Sequence, residues 1–182
     1  MWRNAVTYNN GQKADTSEYD KNGLLRAKTI YTYAEGKLAD ETGYDGDGAL
    51  LWKIVYKYNP DGKVSDVCEY SADGTLDIQE TYTYTDDGKI ESLVTYDAYT
   101  EDTNRKVFRY ASNGTLSEIT TYDATKEVIN RVIIKYDAGN NCVWSESYGA
   151  DAGDYINGMI VTDEGHLVGV GHRGIVRYSF LK

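Results

Sequence analysis

The 182-residue chain has one proline, two cysteines, two phenylalanines and two histidines, and each scarcity removes a class of explanation. Cys68 and Cys142 lie far apart and outside any metal-ligand spacing, which excludes a disulfide framework and a thiolate zinc site. Two free, half-buried thiols are the expectation. No run of 18 or more apolar residues occurs, so membrane insertion through a helix is not expected. No charged-then-apolar signal segment opens the chain. Basic residues are also in deficit, with 19 Lys and Arg against 29 Asp and Glu and a net charge of -10. That charge repels phosphate backbones and anionic headgroups, and nucleic acid is excluded as the expected partner. Apolar residues with helical periodicity are missing too, so almost no helix is expected.

What the chain has is tyrosine. Twelve of its 18 tyrosines, Tyr8, Tyr19, Tyr33, Tyr44, Tyr58, Tyr70, Tyr84, Tyr96, Tyr110, Tyr122, Tyr136 and Tyr148, are spaced alternately 11 or 12 and then 14 residues apart. This is an internal repeat of about 26 residues with two unequal halves, one supersecondary unit copied in tandem. It spans residues 1–148. The length suffices for one domain with a substantial buried surface.

Between tyrosines, turn chemistry alternates with strand chemistry. In Asn59-Pro60-Asp61-Gly62, Pro presets φ, Asp suits the next position and Gly takes the left-handed seat that closes a bulged three-residue hairpin loop. Flanks such as Ile54-Val55-Tyr56-Lys57-Tyr58 are β-branched and aromatic. Counting across such a loop pairs Asn59 with Lys63 and puts Tyr58 opposite Val64. The same count sets Tyr19 against Leu25, Tyr44 against Leu50, Tyr70 against Leu76, Tyr84 against Ile90, Tyr110 against Leu116 and Tyr122 against Val128. In the shorter Ala34-Glu35-Gly36 step a two-residue loop keeps Tyr33 opposite Leu38. Eight of eleven turns carry such a pair, with Lys13, Asp102 and Cys142 as the exceptions. A one-residue slip would reverse every side chain, so the pair reads as the register pin of the sheet.

From aliphatic to tyrosine the long strands exceed the short ones by two residues. Unless bulges near Thr29, Lys53 or Gln79 absorb the difference, each hairpin advances by roughly 6 to 7 Å along the strand. The predicted fold is all-β: an antiparallel meander of tandem hairpins, 12 to 15 strands, in one twisted sheet coiling into a shell segment or barrel. Unbroken alternation places all the tyrosines on one apolar face, with Leu51, Lys53, Val55 and Lys57 on the other.

Glycine is lost from Asp97-Ala98-Tyr99-Thr100 and Asp123-Ala124-Thr125-Lys126, which reads as degeneration or as loops freed for another contact. From Gly149 the ladder stops. Residues 149–182 are expected to form a β capping segment, with strands at Met159 to Thr162, His166 to Val170 and Gly174 to Phe180.

The half-repeats Tyr58-Asn59-Pro60-Asp61-Gly62-Lys63-Val64 and Tyr84-Thr85-Asp86-Asp87-Gly88-Lys89-Ile90, each preceded by Tyr-x-Tyr, resemble the YD repeat of Rhs-type bacterial proteins. The resemblance covers about residues 8 to 148. It implies secreted or surface proteins whose hairpins wind into a hollow β-shell, in some members around a toxic cargo. Lys37, Lys63 and Lys89 stand where that family commonly has Arg. MORN-like hairpin repeats are similar to a lesser degree.

Chemistry-bearing residues are few. His166 and His172, with Glu164 nearby, are the low-ranking candidates for a metal site or a small hydrolase or toxin-associated domain; Gly169 and Gly171 interrupt the strand that would align them. Asp45 and Asp47 resemble a calcium-loop fragment without its later ligands, and turn propensity explains them. No cofactor is expected, nor a catalytic constellation. Trp52, Tyr56, Tyr31, Tyr82 and Trp144 would form a stripe able to stack on sugar rings if their face stays open. Burial in a coil, a barrel or a partner is the competing expectation. The reading that results is a non-enzymatic repeat scaffold or protein-interaction module of an exported or cell-surface bacterial protein. Its partner is another protein or further modules of the same chain, with glycan as the alternative.

Overall fold

A computed structural model of the chain describes the backbone of residues 2–136, 139, 141–149, 156–161, 167–171 and 174–178, and side chains as far as residue 136 together with 139, 141 and 142. Every described element is a strand: β1 (Arg3–Asn9), β2 (Gln12–Tyr19), β3 (Leu25–Ala34), β4 (Lys37–Asp45), β5 (Leu50–Tyr58), β6 (Val64–Ser71), β7 (Leu76–Tyr84), β8 (Ile90–Asp97), β9 (Asp102–Tyr110), β10 (Leu116–Tyr122), β11 (Val128–Tyr136), β12 (Cys142–Gly149), β13 (Ile156–Val161), β14 (Leu167–Gly171) and β15 (Gly174–Tyr178). β1 to β12 form an antiparallel meander in chain order, and β13 to β15 a separate three-stranded sheet. The order has two ends, so the sheet is not closed and the barrel alternative falls. The chain divides into two compact units, Met1–Tyr82 with Thr95–Glu101, and Thr83–Val94 with Asp102–Lys182.

The register follows the loop count. Tyr58 faces Val64, with Asn59 N donating to Lys63 O at 2.8 Å and Gly62 N to Asn59 O at 2.9 Å. In the first unit Tyr19 pairs with Leu25, Tyr33 with Leu38, Tyr44 with Leu50 and Tyr70 with Leu76. In the second, Tyr110 pairs with Leu116 and Tyr122 with Val128. Between Tyr84 and Ile90 the loop closes with the same pair of bonds, Thr85 N to Lys89 O at 2.9 Å and Gly88 N to Thr85 O at 2.8 Å. Two of the three exceptions hold the expected places, Lys13 opposite Tyr8 and Cys142 opposite Tyr136. Glu35 and Gly36, at φ 52° and 79°, form the two-residue loop with both central residues left-handed that hairpin twist favours.

Sequence counting missed the bulges. Immediately after each pin residue whose register is described the ladder skips one position: Tyr58 opposes Val64 but Lys57 opposes Asp66, leaving Ser65 unpaired. Arg26, Ala39, Leu51 and Asp77 are skipped likewise. These lie at the strand starts rather than near Thr29, Lys53 or Gln79. One bulge in each half leaves the length difference intact. Ile54 lies straight across from Glu69 and then Ile78, 24 residues on, whereas its repeat equivalent, 26 on, is Glu80. The two-residue stagger per hairpin therefore survives.

Each bulge sets two consecutive residues against one, so alternation resumes out of phase. The expectation of a single tyrosine face is corrected accordingly. In the first unit Tyr31, Tyr33, Trp52, Ile54, Tyr56 and Tyr58 share one face, while Tyr19, Tyr44 and Tyr70 lie on the other with Asp15, Lys28, Asp40, Lys53, Val55 and Lys57. Among described residues Cys68 is the only buried apolar one, and within each unit strands touch only their chain neighbours. The sheet there is a single layer.

Candidate functional site

The tryptophan face of the first unit carries the described members of the predicted stripe. Tyr31 sits opposite Glu41, which sits opposite Ile54; Trp52 sits opposite Gly43; Tyr56 sits opposite Val67, and Val67 opposite Glu80. Tyr82 is two residues along β7 from Glu80, and its hydroxyl donates to that carboxylate. All four aromatics are half-buried. The stripe thus exists as a row of rings interleaved with glutamates. Trp144 lies on β12, and its side chain is outside the described residues.

Most of these rings are already engaged. The indole of Trp52 lies on β4 at Gly43, where a Cβ would come within 2.3 Å of it, so glycine is required there. Tyr56 donates its hydroxyl to Glu41 at 2.8 Å. Burial, and then that carboxylate, push its ionisation well above the usual tyrosine range. The Lys13 ammonium bonds the Tyr31 hydroxyl at 2.8 Å and stands 4.1 Å from the ring centroid. That hydrogen bond is the leading cause of its raised pKa. A shallow recess of about 260 Å³ beside it is lined by Asn9, Asn10, Gln12, Lys13, Ala14, Tyr31 and Tyr33.

The other face of the same unit is a charge lattice. Lys28 approaches Asp15 at 3.8 Å and Lys53 approaches Asp40 at 3.6 Å, with Thr32 donating to Asp40 at 2.6 Å and Thr81 to Asp66 at 3.1 Å. Thr7 also donates to Asp15, and this bond leads the causes holding Asp15 below the usual carboxylate range. The second unit repeats the arrangement, Arg131 to Glu118 at 3.1 Å and Arg109 to Glu118 at 3.8 Å. These acids are committed to cross-strand partners, which is structural work.

At one end of the sheet the turns are laced together. Tyr58 donates its hydroxyl to Leu38 O at 2.8 Å while Lys37 Nζ stands 5.1 Å from its ring centroid. Tyr110 and Ile90 O repeat the bond at 2.8 Å, with Lys89 5.5 Å from the ring. Sequence reading saw the lysine after each glycine only as a departure from a family pattern. Its spacing of 21 residues before a ladder tyrosine was the available signal. At the opposite end Asp45 Oδ1 accepts from Asp47 N at 3.0 Å and Ala49 N at 2.8 Å, so the carboxylate closes its own turn.

No group of three or more His, Cys, Asp or Glu able to hold a metal occurs among the described residues. His166, His172 and Glu164 lie outside them. Cys68 is buried and Cys142 half-buried, and neither is in a disulfide.

The sequence matches no family profile and no curated protein. Among solved structures, a porin-like protein from Bacteroides uniformis ATCC 8492 aligns over 93% of this chain and 58% of its own, at 15% identity and a TM-score of 0.43. The crystal structure of TcdB2-TccC3 aligns over 92% of this chain and 14% of its own, at 13% identity and a TM-score of 0.32. The Tc holotoxin pore of Photorhabdus luminescens aligns over 77% and 11%, at 14% identity and 0.29. The chain thus spans little more than half of the first neighbour and a small part of the toxin chains, and alignment scores this low decide nothing about function.

Proposed function

We propose that this chain is a non-enzymatic β-hairpin repeat scaffold, a protein-interaction module of an exported or cell-surface bacterial protein. The observation that carries the reading is the single-layer meander whose polar groups are spent on neighbouring strands: Asp15, Asp40 and Glu118 hold cross-strand cations, and Asp45 and Asp123 hold their own turns. The Tyr-x-x-x-Gly-Lys-aliphatic half-repeat, which resembles the YD repeat, supports the exported class. A scaffold of like units tolerates a change in their number. Deleting residues 50–75, one period of 26, joins Ala49 to Leu76 and should leave a β-type circular dichroism spectrum with cooperative unfolding. An unfolded product, or a catalytic turnover abolished by one substitution in a broad hydrolase screen, would overturn the reading.

Carbohydrate binding is the second reading, favoured by the recess where Tyr31 and Tyr33 meet Asn9, Asn10 and Gln12. Lys13 stands over the Tyr31 ring, so a sugar would have to displace it. A glycan array on the whole chain decides between the two readings. Binding lost in both Tyr31→Ala and Trp52→Ala supports the sugar, whereas binding retained in both removes the aromatic stripe from consideration.

A further inference from the structure

Among the described residues β1 is bonded on one side only, to β2. Its sequence Arg3-Asn4-Ala5-Val6-Thr7-Tyr8-Asn9 has no proline and no acid, and Arg3 is the single charge among the devices that ordinarily blunt a free edge. Trp2, Val6 and Tyr8, which alternation sets on one face, are 68%, 43% and 68% exposed.

What that edge lacks can be read from its repeat equivalents. Tyr8 precedes its turn as Tyr58 does, so β1 corresponds to β5 with an offset of 50 residues. Trp2 then corresponds to Trp52, Arg3 to Lys53 and Tyr8 to Tyr58. Each of these β5 residues is completed by β4. Trp52 lies on Gly43, Lys53 pairs with Asp40 at 3.6 Å, and Tyr58 donates its hydroxyl to Leu38 O beneath the Lys37 ammonium. On β1 the same side chains lack these partners. The Tyr8 hydroxyl has no hydrogen bond and Arg3 no carboxylate among the described residues, and Arg3 rests instead on the Tyr19 ring at 4.5 Å.

We propose that the edge of β1, unpaired among the described residues, is a docking site for an extended polypeptide segment with the chemistry of β4. That chemistry is a strand opening Gly-Lys-aliphatic, with an acid three residues beyond the lysine and a glycine six beyond it. The partner strand adds antiparallel to β1. Its glycine lies beneath Trp2, its acid meets Arg3, its lysine covers Tyr8 and its first aliphatic carbonyl accepts from the Tyr8 hydroxyl. An intact second copy does not offer its own β4, because β3 and β5 already hold both edges. The assignment rests on the scaffold reading and names the partner's chemistry.

The probe is a synthetic hairpin of residues 25–45, which presents the β4 edge, titrated into the whole chain and followed by amide hydrogen exchange. The expected result is added protection confined to the amides of Arg3–Asn9. Affinity should fall about 2- to 5-fold for the Lys37→Ala peptide, fall further for the Gly43→Val peptide, and drop in the Tyr8→Phe protein. Because isolated hairpins are marginally stable, a second arm fuses residues 25–50 ahead of Met1, which restores the repeat spacing to Trp2. In that fusion β1 exchange should slow and Trp2 should become inaccessible to iodide. Protection elsewhere, equal binding of the three peptides, self-association of the unfused chain through β1, or an unprotected β1 in the fusion each overturns the proposal. β1 lies outside residues 50–75, so a failed docking beside a folded deletion variant discards the edge and leaves the scaffold reading standing.

Discussion

Lys126 has φ 71°, in the left-handed region that Gly23, Gly48, Gly62, Gly74, Gly88 and Gly114 occupy in the other three-residue loops. A non-glycine residue there carries a steric penalty of about 1 kcal/mol, so Lys126→Gly should raise stability by about that amount in urea denaturation. The loop closes without glycine, through Asp123, whose Oδ1 accepts from Thr125 N and Glu127 N at 2.9 Å each. Asp73 does the same work in its own turn, accepting from the Thr75 hydroxyl and backbone and from Ser71, which depresses its pKa from 3.8 to about 2. A folded-state pKa below the unfolded one contributes stability above the unfolded value, lost as pH falls through the folded one. The difference in urea midpoint between the parent and Asp73→Ala should therefore be present at pH 5 and shrink as pH is lowered from 4 towards 2.

At the scale of the strand, the pin and its bulge form one device. The pin fixes which residues meet, and the bulge decides which face they meet on. A double-mutant cycle on Tyr58→Ala and Val64→Ala should return a coupling of about 0.2 to 1 kcal/mol; additivity would deny that they are cross-strand neighbours. Gly43 tests the opposite face of the argument. Gly43→Ala places a methyl inside the Trp52 indole and should destabilise the protein, and Trp52→Ala in the same chain should recover part of the loss. Pairing was legible in the sequence because loop length and turn chemistry are local. Faces were not, because Ser65 or Leu51 looks like any other strand residue and only the neighbouring ladder shows it skipped. The same limit applied to the candidate stripe. Tyr31, Trp52 and Tyr56 do share a face as alternation required, but the ladder alone brought Glu41, Lys13 and Gly43 to them.

For the whole molecule, the consequence is a fold stabilised along the sheet rather than across a core. Among the described residues one apolar side chain is fully buried and most strand side chains are half-buried, so burial is spread thinly along the sheet. Because the denaturant dependence follows the total surface exposed on unfolding, the urea m-value should still fall within the range of about 1 to 3 kcal/mol/M for small proteins. A value below that range would show that the strands do not unfold together. His166, His172 and Glu164 remain sequence candidates on residues that are not described, and nothing about the sheet bears on them.

By itself the amino-acid order determined the repeat, the hairpins, the tyrosine-aliphatic pairs and the two-residue stagger, because each depends on turn geometry and residue counts within one or two strands. Tertiary structure alone decided that the sheet has two ends, that tyrosines divide between its faces, and that the glutamates and Lys13 occupy the aromatic row. The first depends on whether the outermost strands meet; the other two depend on the phase of alternation, and a single unpaired residue per hairpin shifts that phase without leaving a mark in composition or period.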